Sequence, residues 1–148
     1  MKQGLETSAP GGSRQMAVTA LIVDDSNLSA QVIRYHLRSI GCTVIGEARN
    51  ASEGLRLFRE LKPDIITLDL MMPKIDTIDS MTMLRAVKQE SRNTVVVVAS
   101  VIPFEKTQSD FLDEGVLAYV IKPFNQFSFE PVRRKLIRAF PELSRTGT

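Results

Sequence analysis

The chain has 148 residues, enough for one domain whose hydrophobic core needs no disulfide or metal to hold it together. A hydrophobic content of 43% and a charged content of 24% are ordinary for a globular protein, and a net charge of +2 is too small to indicate a nucleic-acid partner. The single cysteine excludes an internal disulfide and a thiolate zinc site. No apolar run is long enough to span a membrane, and the N-terminus lacks the apolar core of a secretion signal. We therefore expect a cytoplasmic protein with no membrane segment.

The two ends of the chain lack the pattern of a folded segment. Residues 1–17 include an Ala-Pro-Gly-Gly-Ser run and no periodic apolar residues, which predicts a disordered leader. Residues 18–140 contain all the periodic apolar segments and are predicted to form one domain. Residues 141–148 follow the last of these segments and are predicted to be a C-terminal tail.

Between these ends, short apolar runs alternate with segments whose apolar residues recur at helical spacing. Ser26 or Asn27 is a candidate cap for the first helix, and Asn50 with Glu53 forms a capping-box pattern for the second. Strands are predicted at 19–23, 43–48, 65–69, 94–100 and 118–121. Helices are predicted from 26 or 27 to about 40, from 50 up to Pro63, within 80–90, from near 103 to 114, and from about 128 to 140.

The strict alternation of five strands with five helices predicts an α/β domain with a parallel sheet and helices on both of its faces. The fourth strand contains four consecutive valines, which cannot alternate between a buried and a wet face. We therefore expect that strand to lie in the interior of the sheet.

Polar residues end four of the five predicted strands. Asp24 and Asp25 follow the first strand, Asp69 ends the third, Ser100 ends the fourth and Lys122 follows the fifth. The second strand has no comparable residue at its end. Right-handed crossovers bring the carboxyl ends of parallel strands to one edge of the sheet, so we expect these five side chains to meet there.

This set of side chains indicates a metal-assisted phosphoryl transfer. Three neighbouring carboxylates repel one another and need a counter-charge, which a hard divalent cation such as Mg²⁺ supplies through oxygen ligands. Lys122 adds a second positive charge. A carboxylate between a metal and a lysine can accept a phosphoryl group, because that reaction depends mainly on positioning and charge neutralisation.

Four stretches carry a resemblance to a known family, namely LIVDDSNLSAQVIRYHL, PDIITLDLMMP, VVVVAS and YVIKPF. Together they resemble the receiver domain of bacterial response regulators, over roughly residues 18–140. The resemblance implies the doubly wound, flavodoxin-like arrangement of five β–α units, with strand order 2-1-3-4-5.

The resemblance also implies roles for the acidic residues. Asp69 is expected to be the phosphoacceptor and, with Asp25, a direct ligand of Mg²⁺. Asp24 is expected to bind the ion mainly through water, and the backbone carbonyl of Met71 to complete the protein's share of the coordination.

A second set of residues is implied to respond to phosphorylation. The Ser100 hydroxyl is expected to bond a phosphoryl oxygen, and Lys122 to pair with Asp69 or its phosphate. A cis peptide is expected between Lys122 and Pro123. Tyr119 matches the aromatic residue that moves inward when the hydroxyl is drawn to the phosphate.

The loop after Pro73 departs from the family pattern, which places Asp-Gly a few residues beyond the acceptor. Either Asp76-Thr77 takes that place, or Asp79-Ser80 does so after three extra residues. We favour the second register because it aligns Leu84 and Val87 with the apolar stripe of the third helix. Neither register keeps the glycine, and a β-branched threonine is poorly suited to a positive φ, so a different loop path is expected.

Apolar residues also occupy three positions beside the acceptor. Val101 stands where the family has a small residue, which narrows the entrance, and Met71 and Ile102 flank the site. Neither Met71 nor Ile102 can orient a water molecule by hydrogen bonding. We therefore expect slow loss of the phosphoryl group.

The chain is predicted to be a single-domain response regulator of a two-component system or phosphorelay. Any reaction that it catalyses is expected to be its own phosphorylation, so it is not predicted to be an enzyme that acts on a separate substrate. Its phosphodonor is expected to be a sensor histidine kinase or a histidine phosphotransfer domain, and its target an unknown protein rather than DNA, since no helix-turn-helix follows.

Three alternatives remain at this point. A degenerate receiver would act as a binding module without phosphorylation. A phosphohydrolase of the haloacid dehalogenase type would need Asp-x-Asp, whereas Asp24 and Asp25 are adjacent. A flavin carrier would need a phosphate-binding loop after the first strand, which is missing.

Overall fold

The computed structural model describes residues 17–74, 77–101 and 105–143, except the side chains of 105–108. Strands and helices alternate along these residues as the sequence predicts. In chain order the elements are β1 (Thr19–Val23), α1 (Asn27–Ser39), β2 (Thr43–Ala48), α2 (Ala51–Leu61), β3 (Ile65–Leu68), α3 (Ser80–Glu90), β4 (Val95–Ser100), α4 (Glu105–Asp113), β5 (Ala118–Ile121) and α5 (Glu130–Ala139). None of these helices combines the length and the apolar content that a membrane span requires.

The five strands form one parallel sheet in the order β2-β1-β3-β4-β5, which confirms the predicted topology. The register aligns the carboxyl ends of the inner strands. Val23 pairs with Leu68, Leu68 with Val98, and Ser100 with Ile121. The residues that follow β1, β3 and β5 therefore emerge at the same edge.

Two hydrophobic cores lie on opposite faces of the sheet. One packs α1 and α5 against side chains such as Ile22 and Val97, and the other packs α2 and α3 against side chains such as Leu21 and Val96. Successive residues of a strand point to opposite faces, so the valines of β4 fill both cores in turn. β4 lies between β3 and β5, as its valine run predicts.

Side-chain caps begin three of the helices. Ser26, rather than Asn27, caps α1, and its hydroxyl accepts the Ser29 N–H at 3.2 Å. Asn50 caps α2 as predicted, but the Glu53 carboxylate accepts the N–H of Arg49 instead of that of the cap residue. Several predicted boundaries differ from the structure by one or two residues. The last helix begins at Glu130 and not near Ser128, because the Ser128 hydroxyl accepts the Asn125 N–H in a preceding turn.

The loop before α3 shows one feature that the sequence predicts and one backbone conformation that it does not predict. Leu84 and Val87 are buried, as the favoured register predicts, and Asp79 caps α3 by accepting the Thr82 N–H at 2.8 Å, which was not predicted. The expectation that Thr77 would avoid a positive φ is wrong, because its φ is 61°. Ile78 packs against the core and Asp79 is held by its cap, so Thr77 takes the left-handed turn despite its β-branched side chain. Asp76, Ile102 and Pro103 lie outside the described residues, as do most of the predicted leader and tail.

Candidate functional site

Three carboxylates meet at the carboxyl edge of the sheet. Asp24 follows β1 and Asp69 follows β3, and both are almost completely buried, with 2% and 3% of their surface exposed. Asp25 lies on the solvent side of them. One carboxylate oxygen from each of the three lies within 4.8 Å of the others. The structure thus brings together the three acidic residues that the sequence placed at this edge.

Backbone groups orient the two buried carboxylates. Asp24 Oδ1 accepts the N–H of Ser26, and Asp69 Oδ1 accepts the N–H of Met71, each at 2.9 Å. Both bonds reach two residues along the chain, the turn geometry that aspartate favours after a strand. Each carboxylate therefore has one oxygen held by its own turn and one oxygen directed elsewhere.

Lys122 supplies the positive charge that the second oxygens face. Its Nζ lies 2.7 Å from Asp24 Oδ2 and 3.3 Å from Asp69 Oδ2, and its side chain is only 10% exposed. The peptide bond between Lys122 and Pro123 is cis, as predicted. Lys122 lies closer to Asp24 than to Asp69. The predicted phosphoacceptor, Asp69, is therefore the less tightly held of the two carboxylates.

The charges of the site do not balance. Three carboxylates and the Lys122 ammonium give a formal charge of −2, and the Arg49 guanidinium, which contacts the turn of Asp25, reduces it to −1. Burial raises the pKa of Asp24 above its usual value, although its hydrogen bond with Lys122 opposes that effect. Proximity of Asp69 raises the pKa of Asp24 further. The arrangement is electrostatically incomplete without another cation.

The donor set fits a small divalent cation. It offers carboxylate oxygens within a few ångströms of one another, and the exposed Asp25 leaves one side open to water. Mg²⁺ prefers one or two carboxylates and retains several waters, which suits this half-open cluster. Asp25 and Asp69 would hold it directly and Asp24 through water. The Met71 carbonyl as a further ligand stays a prediction.

A buried hydroxyl and a tyrosine come from β4 and β5, the two strands beyond β3 in the sheet. Ser100 is completely buried, and within the described part of the chain its Oγ forms no hydrogen bond of ordinary geometry. Burial raises the pKa of Tyr119, as does the charge of Asp69, whereas its interaction with the Ser100 hydroxyl lowers it. Tyr119 therefore lies close to both Asp69 and Ser100.

Two apolar side chains form the rim. Met71 is 55% exposed and Val101 is 50% exposed. Neither carries a group that can hold a water molecule against the acceptor. Ile102, the third apolar position of the prediction, lies outside the described residues.

The sequence analysis missed two contacts of this edge. The Ser80 hydroxyl, buried at the start of α3, donates to the backbone carbonyl of Asp69 at 2.7 Å. The expectation that the second strand has no comparable residue at its end is wrong, because Arg49 follows β2 and its guanidinium contacts the Asp25 backbone carbonyl and the Asn27 side chain. The position of Arg49 after a strand could have indicated the second contact. No sequence signal indicated the first.

His36 lies away from the carboxylates. Its ring stacks on Phe129 with centroids 4.2 Å apart, between α1 and the start of α5. Burial lowers its pKa, and the neighbouring Arg133 lowers it further. These contacts give it a packing role.

Comparison with known proteins agrees with this geometry. A family model described as the response regulator receiver domain matches residues 20–130. The chain is 29% identical over 109 residues to the chemotaxis protein CheY of Thermotoga maritima, covering 74% of this chain and 88% of that protein. It is 37% identical over 114 residues to a protein-glutamate methylesterase/protein-glutamine glutaminase of Geobacter sulfurreducens, covering 76% of this chain but 30% of that protein.

A solved structure has the same architecture. It is the CheX-CheY-BeF3-Mg complex of Borrelia burgdorferi, with a TM-score of 0.71 and 27% sequence identity. The match covers 82% of this chain and 88% of that one.

Proposed function

This chain belongs to the response regulator receiver domain family, and we propose that it accepts a phosphoryl group on the Asp69 carboxylate with Mg²⁺ bound beside it. The observation that carries the proposal is the unbalanced cluster of Asp24, Asp25 and Asp69 around Lys122. A structural ion pair would need only one carboxylate for the lysine. The remaining negative charge favours a site for a cation and a phosphoryl group.

The charges and hydrogen bonds support Asp69 as the nucleophile. The Met71 N–H orients one of its oxygens, while Lys122 lies at 3.3 Å from the other and holds Asp24 more closely. In the reaction, an Asp69 oxygen forms a bond to phosphorus as the bond from phosphorus to the donor nitrogen breaks. Mg²⁺, when bound, neutralises charge on the phosphoryl oxygens and on the carboxylates.

Two further groups are placed to respond to the product. Lys122 would pair with the added negative charge, and the buried Ser100 hydroxyl would donate to a phosphoryl oxygen. A shift of Ser100 toward the phosphate changes the space next to Tyr119. We propose that this change alters a protein-binding surface around α4, β5 and α5, which would be the output of the switch.

The wider assignments are parts of the same proposal. The phosphodonor would be a phosphohistidine on a sensor kinase or a histidine phosphotransfer domain, and the target another protein. The protein would act in the cytoplasm. Its only substrate would be its own phosphorylated form. Action as a single-domain regulator stays a prediction.

The apolar rim favours a second candidate function, a receiver that binds partners without being phosphorylated. Val101 and Met71, which the sequence places next to the site, both expose about half of their apolar surface. If these two side chains leave room for a phosphoryl group on Asp69, neither of them can direct a water molecule at that group. Under the first proposal we therefore expect slow hydrolysis of the phosphoaspartate.

Acetyl phosphate with Mg²⁺ tests the proposal. Intact mass should show the addition of one phosphoryl group to the wild type and none to Asp69→Asn. After acetyl phosphate is removed, the adduct should persist for many minutes. Labelling that survives in Asp69→Asn would refute the assignment of the acceptor, and absence of labelling in a folded, Mg²⁺-binding wild type would favour the binding module. Steady turnover of para-nitrophenyl phosphate would instead indicate a phosphohydrolase.

A further inference from the structure

Arg49 is the first residue after β2, and the register of the sheet places it beside the acidic turn that follows β1. Val23 of β1 pairs with Ala48 of β2, and the Asp24 N–H donates to the Ala48 carbonyl at 2.9 Å. One residue further along each chain, Arg49 is level with Asp24 and therefore next to Asp25. The ladder itself therefore delivers a guanidinium to the outer side of the carboxylate cluster.

The guanidinium contacts this turn through two donors. Nη1 lies 3.4 Å from the backbone carbonyl oxygen of Asp25, and Nη2 donates to Asn27 Oδ1. The backbone of Arg49 is itself anchored, since its N–H donates to Glu53 Oε1 at 2.8 Å. Arg49 thus links the first turn of α2 to the backbone of Asp25 and to the first residue of α1.

Asp25 is the carboxylate that most needs such support. Asp24 and Asp69 are each held by a backbone N–H and by Lys122. The Asp25 carboxylate is exposed, and within residues 17–74, 77–101 and 105–143 it accepts no hydrogen bond. Its direction is set only through the backbone of its own turn, which is where Arg49 makes contact.

We propose that Arg49 is a positioning residue for the metal-binding turn. It holds the Asp25 backbone so that the carboxylate stays beside Asp24 and Asp69 before an ion binds. A ligand that is already in place loses less conformational freedom on binding, so Arg49 raises the affinity for Mg²⁺. This inference rests on the proposed function for the identity of the ion.

Charge alone predicts the opposite result. A guanidinium near a cation site repels the cation, so its removal would tighten Mg²⁺ binding if Arg49 acted only through its charge. The sign of the change in affinity therefore separates positioning from repulsion. Salt sharpens the distinction, because it screens the repulsion between exposed charges and leaves the geometry of the turn unchanged.

Titration calorimetry with MgCl₂ tests the proposal on the full chain. Arg49→Ala should weaken Mg²⁺ binding by about three- to tenfold, at the lower end of the range for groups that orient metal ligands because this contact is exposed. Asn27→Ala should weaken it in the same direction while keeping the arginine charge. Arg49→Lys should resemble Arg49→Ala, since the single nitrogen of an ammonium cannot occupy the two separate positions of Nη1 and Nη2. The matched control is Arg59→Ala, which removes the same charge from an exposed position on α2 where the arginine pairs with Glu90, and it should leave the affinity unchanged.

Hydrogen exchange gives a readout that does not depend on the ion. Without Mg²⁺, the amides of residues 25–28 should exchange faster in Arg49→Ala than in the wild type, while the thermal midpoint stays close to that of Arg59→Ala. Unchanged or tighter Mg²⁺ binding by Arg49→Ala would overturn the proposal, as would unchanged exchange or a wild type that does not bind Mg²⁺.

The outcome is separable from that of the proposed function. If Arg49→Ala weakens Mg²⁺ binding but acetyl phosphate fails to label wild-type Asp69, the positioning role stands and phosphoryl transfer does not. If Asp69 is labelled and the Mg²⁺ affinity of Arg49→Ala matches that of the wild type, the reverse holds.

Discussion

The two ends of the sheet treat their charged side chains differently. At the amino-terminal end, the Asp64 carboxylate accepts both the N–H and the hydroxyl of Thr19, and Arg59 forms an ion pair with Glu90. Each acidic group there has a donor of its own. At the carboxyl end, the two buried carboxylates of Asp24 and Asp69 share one lysine, and the exposed Asp25 lies beside them. Burying a carboxylate without a matching positive charge destabilises the folded state. An excess of buried carboxylates at one edge therefore indicates that this edge binds a ligand.

We expect the removal of a positively charged side chain to change the free energy of unfolding very differently at the two ends of the sheet. Lys122→Ala leaves Asp24 and Asp69 buried without a counter-charge, so the free energy of unfolding should fall by about 3 kcal/mol in the absence of Mg²⁺. Added Mg²⁺ should recover part of the loss, since it binds only the folded state. Urea unfolding with and without Mg²⁺ measures both effects.

Arg59→Ala is the control from the other end. Its ion pair with Glu90 is exposed, so the unfolding midpoint should remain close to that of the wild type. Equal losses in Lys122→Ala and Arg59→Ala would show that the two ends do not differ in the way described.

Neutralising a carboxylate should have opposite signs at the two ends. Asp24→Asn removes charge from the crowded cluster and should stabilise the metal-free protein at neutral pH by about 1 kcal/mol. Asp64→Ala removes the acceptor of two Thr19 bonds and should destabilise it by about 1–2 kcal/mol. Chemical unfolding at pH 7 compares the two, and destabilisation by Asp24→Asn would contradict the comparison.

The pH dependence of the Asp24 effect follows from its raised pKa. The folded protein binds the Asp24 proton at a higher pH than the unfolded chain, so this contribution to stability is complete at low pH. It is lost as the pH rises through the folded-state pKa. The stability difference between Asp24→Asn and the wild type should therefore shrink as the pH falls below neutral.

The smallest expected effect lies away from both ends, at His36. Burial and the nearby Arg133 lower its pKa from the usual 6.5, so the unfolded chain takes up this proton first as the pH falls. Stability due to neutral His36 is present above pH 6.5 and is lost as the pH falls through the lower, folded-state pKa. His36→Gln should reduce the decline in thermal stability between neutral and mildly acidic pH, by less than about 1 kcal/mol because solvent screens a half-exposed ring. An identical decline in the variant would assign the acid sensitivity to other groups.

Local patterns were reliable where a single element decided the outcome. The valine run predicted the buried interior strand β4, and Asn50 caps the helix that it was predicted to begin. Such features depend on side-chain alternation or on hydrogen bonds across three residues, both of which are encoded next to each other in the chain. The clustering of Asp24 and Asp69 was also predictable, because parallel strands end at one edge.

Contacts between elements were less predictable. Thr77 adopts a positive φ because its neighbours are fixed by the core and by a helix cap, which overrides its own preference. Arg49 reaches the acidic turn because β1 and β2 pair in a particular register. The Ser80 hydroxyl meets the Asp69 carbonyl because α3 begins directly under β3. Each of these depends on how two distant segments pack.

The amino-acid sequence by itself determined the order of strands and helices, the two-sided burial of the inner strands and the set of polar residues at the sheet edge, because each follows from periodicity and chain direction. Only the tertiary structure decided that Lys122 lies closer to Asp24 than to Asp69, and that Arg49 supports the turn of Asp25. Residues 24 and 122 are separated by almost a hundred positions, so a difference of a few tenths of an ångström between their contacts depends on the packing of the whole sheet.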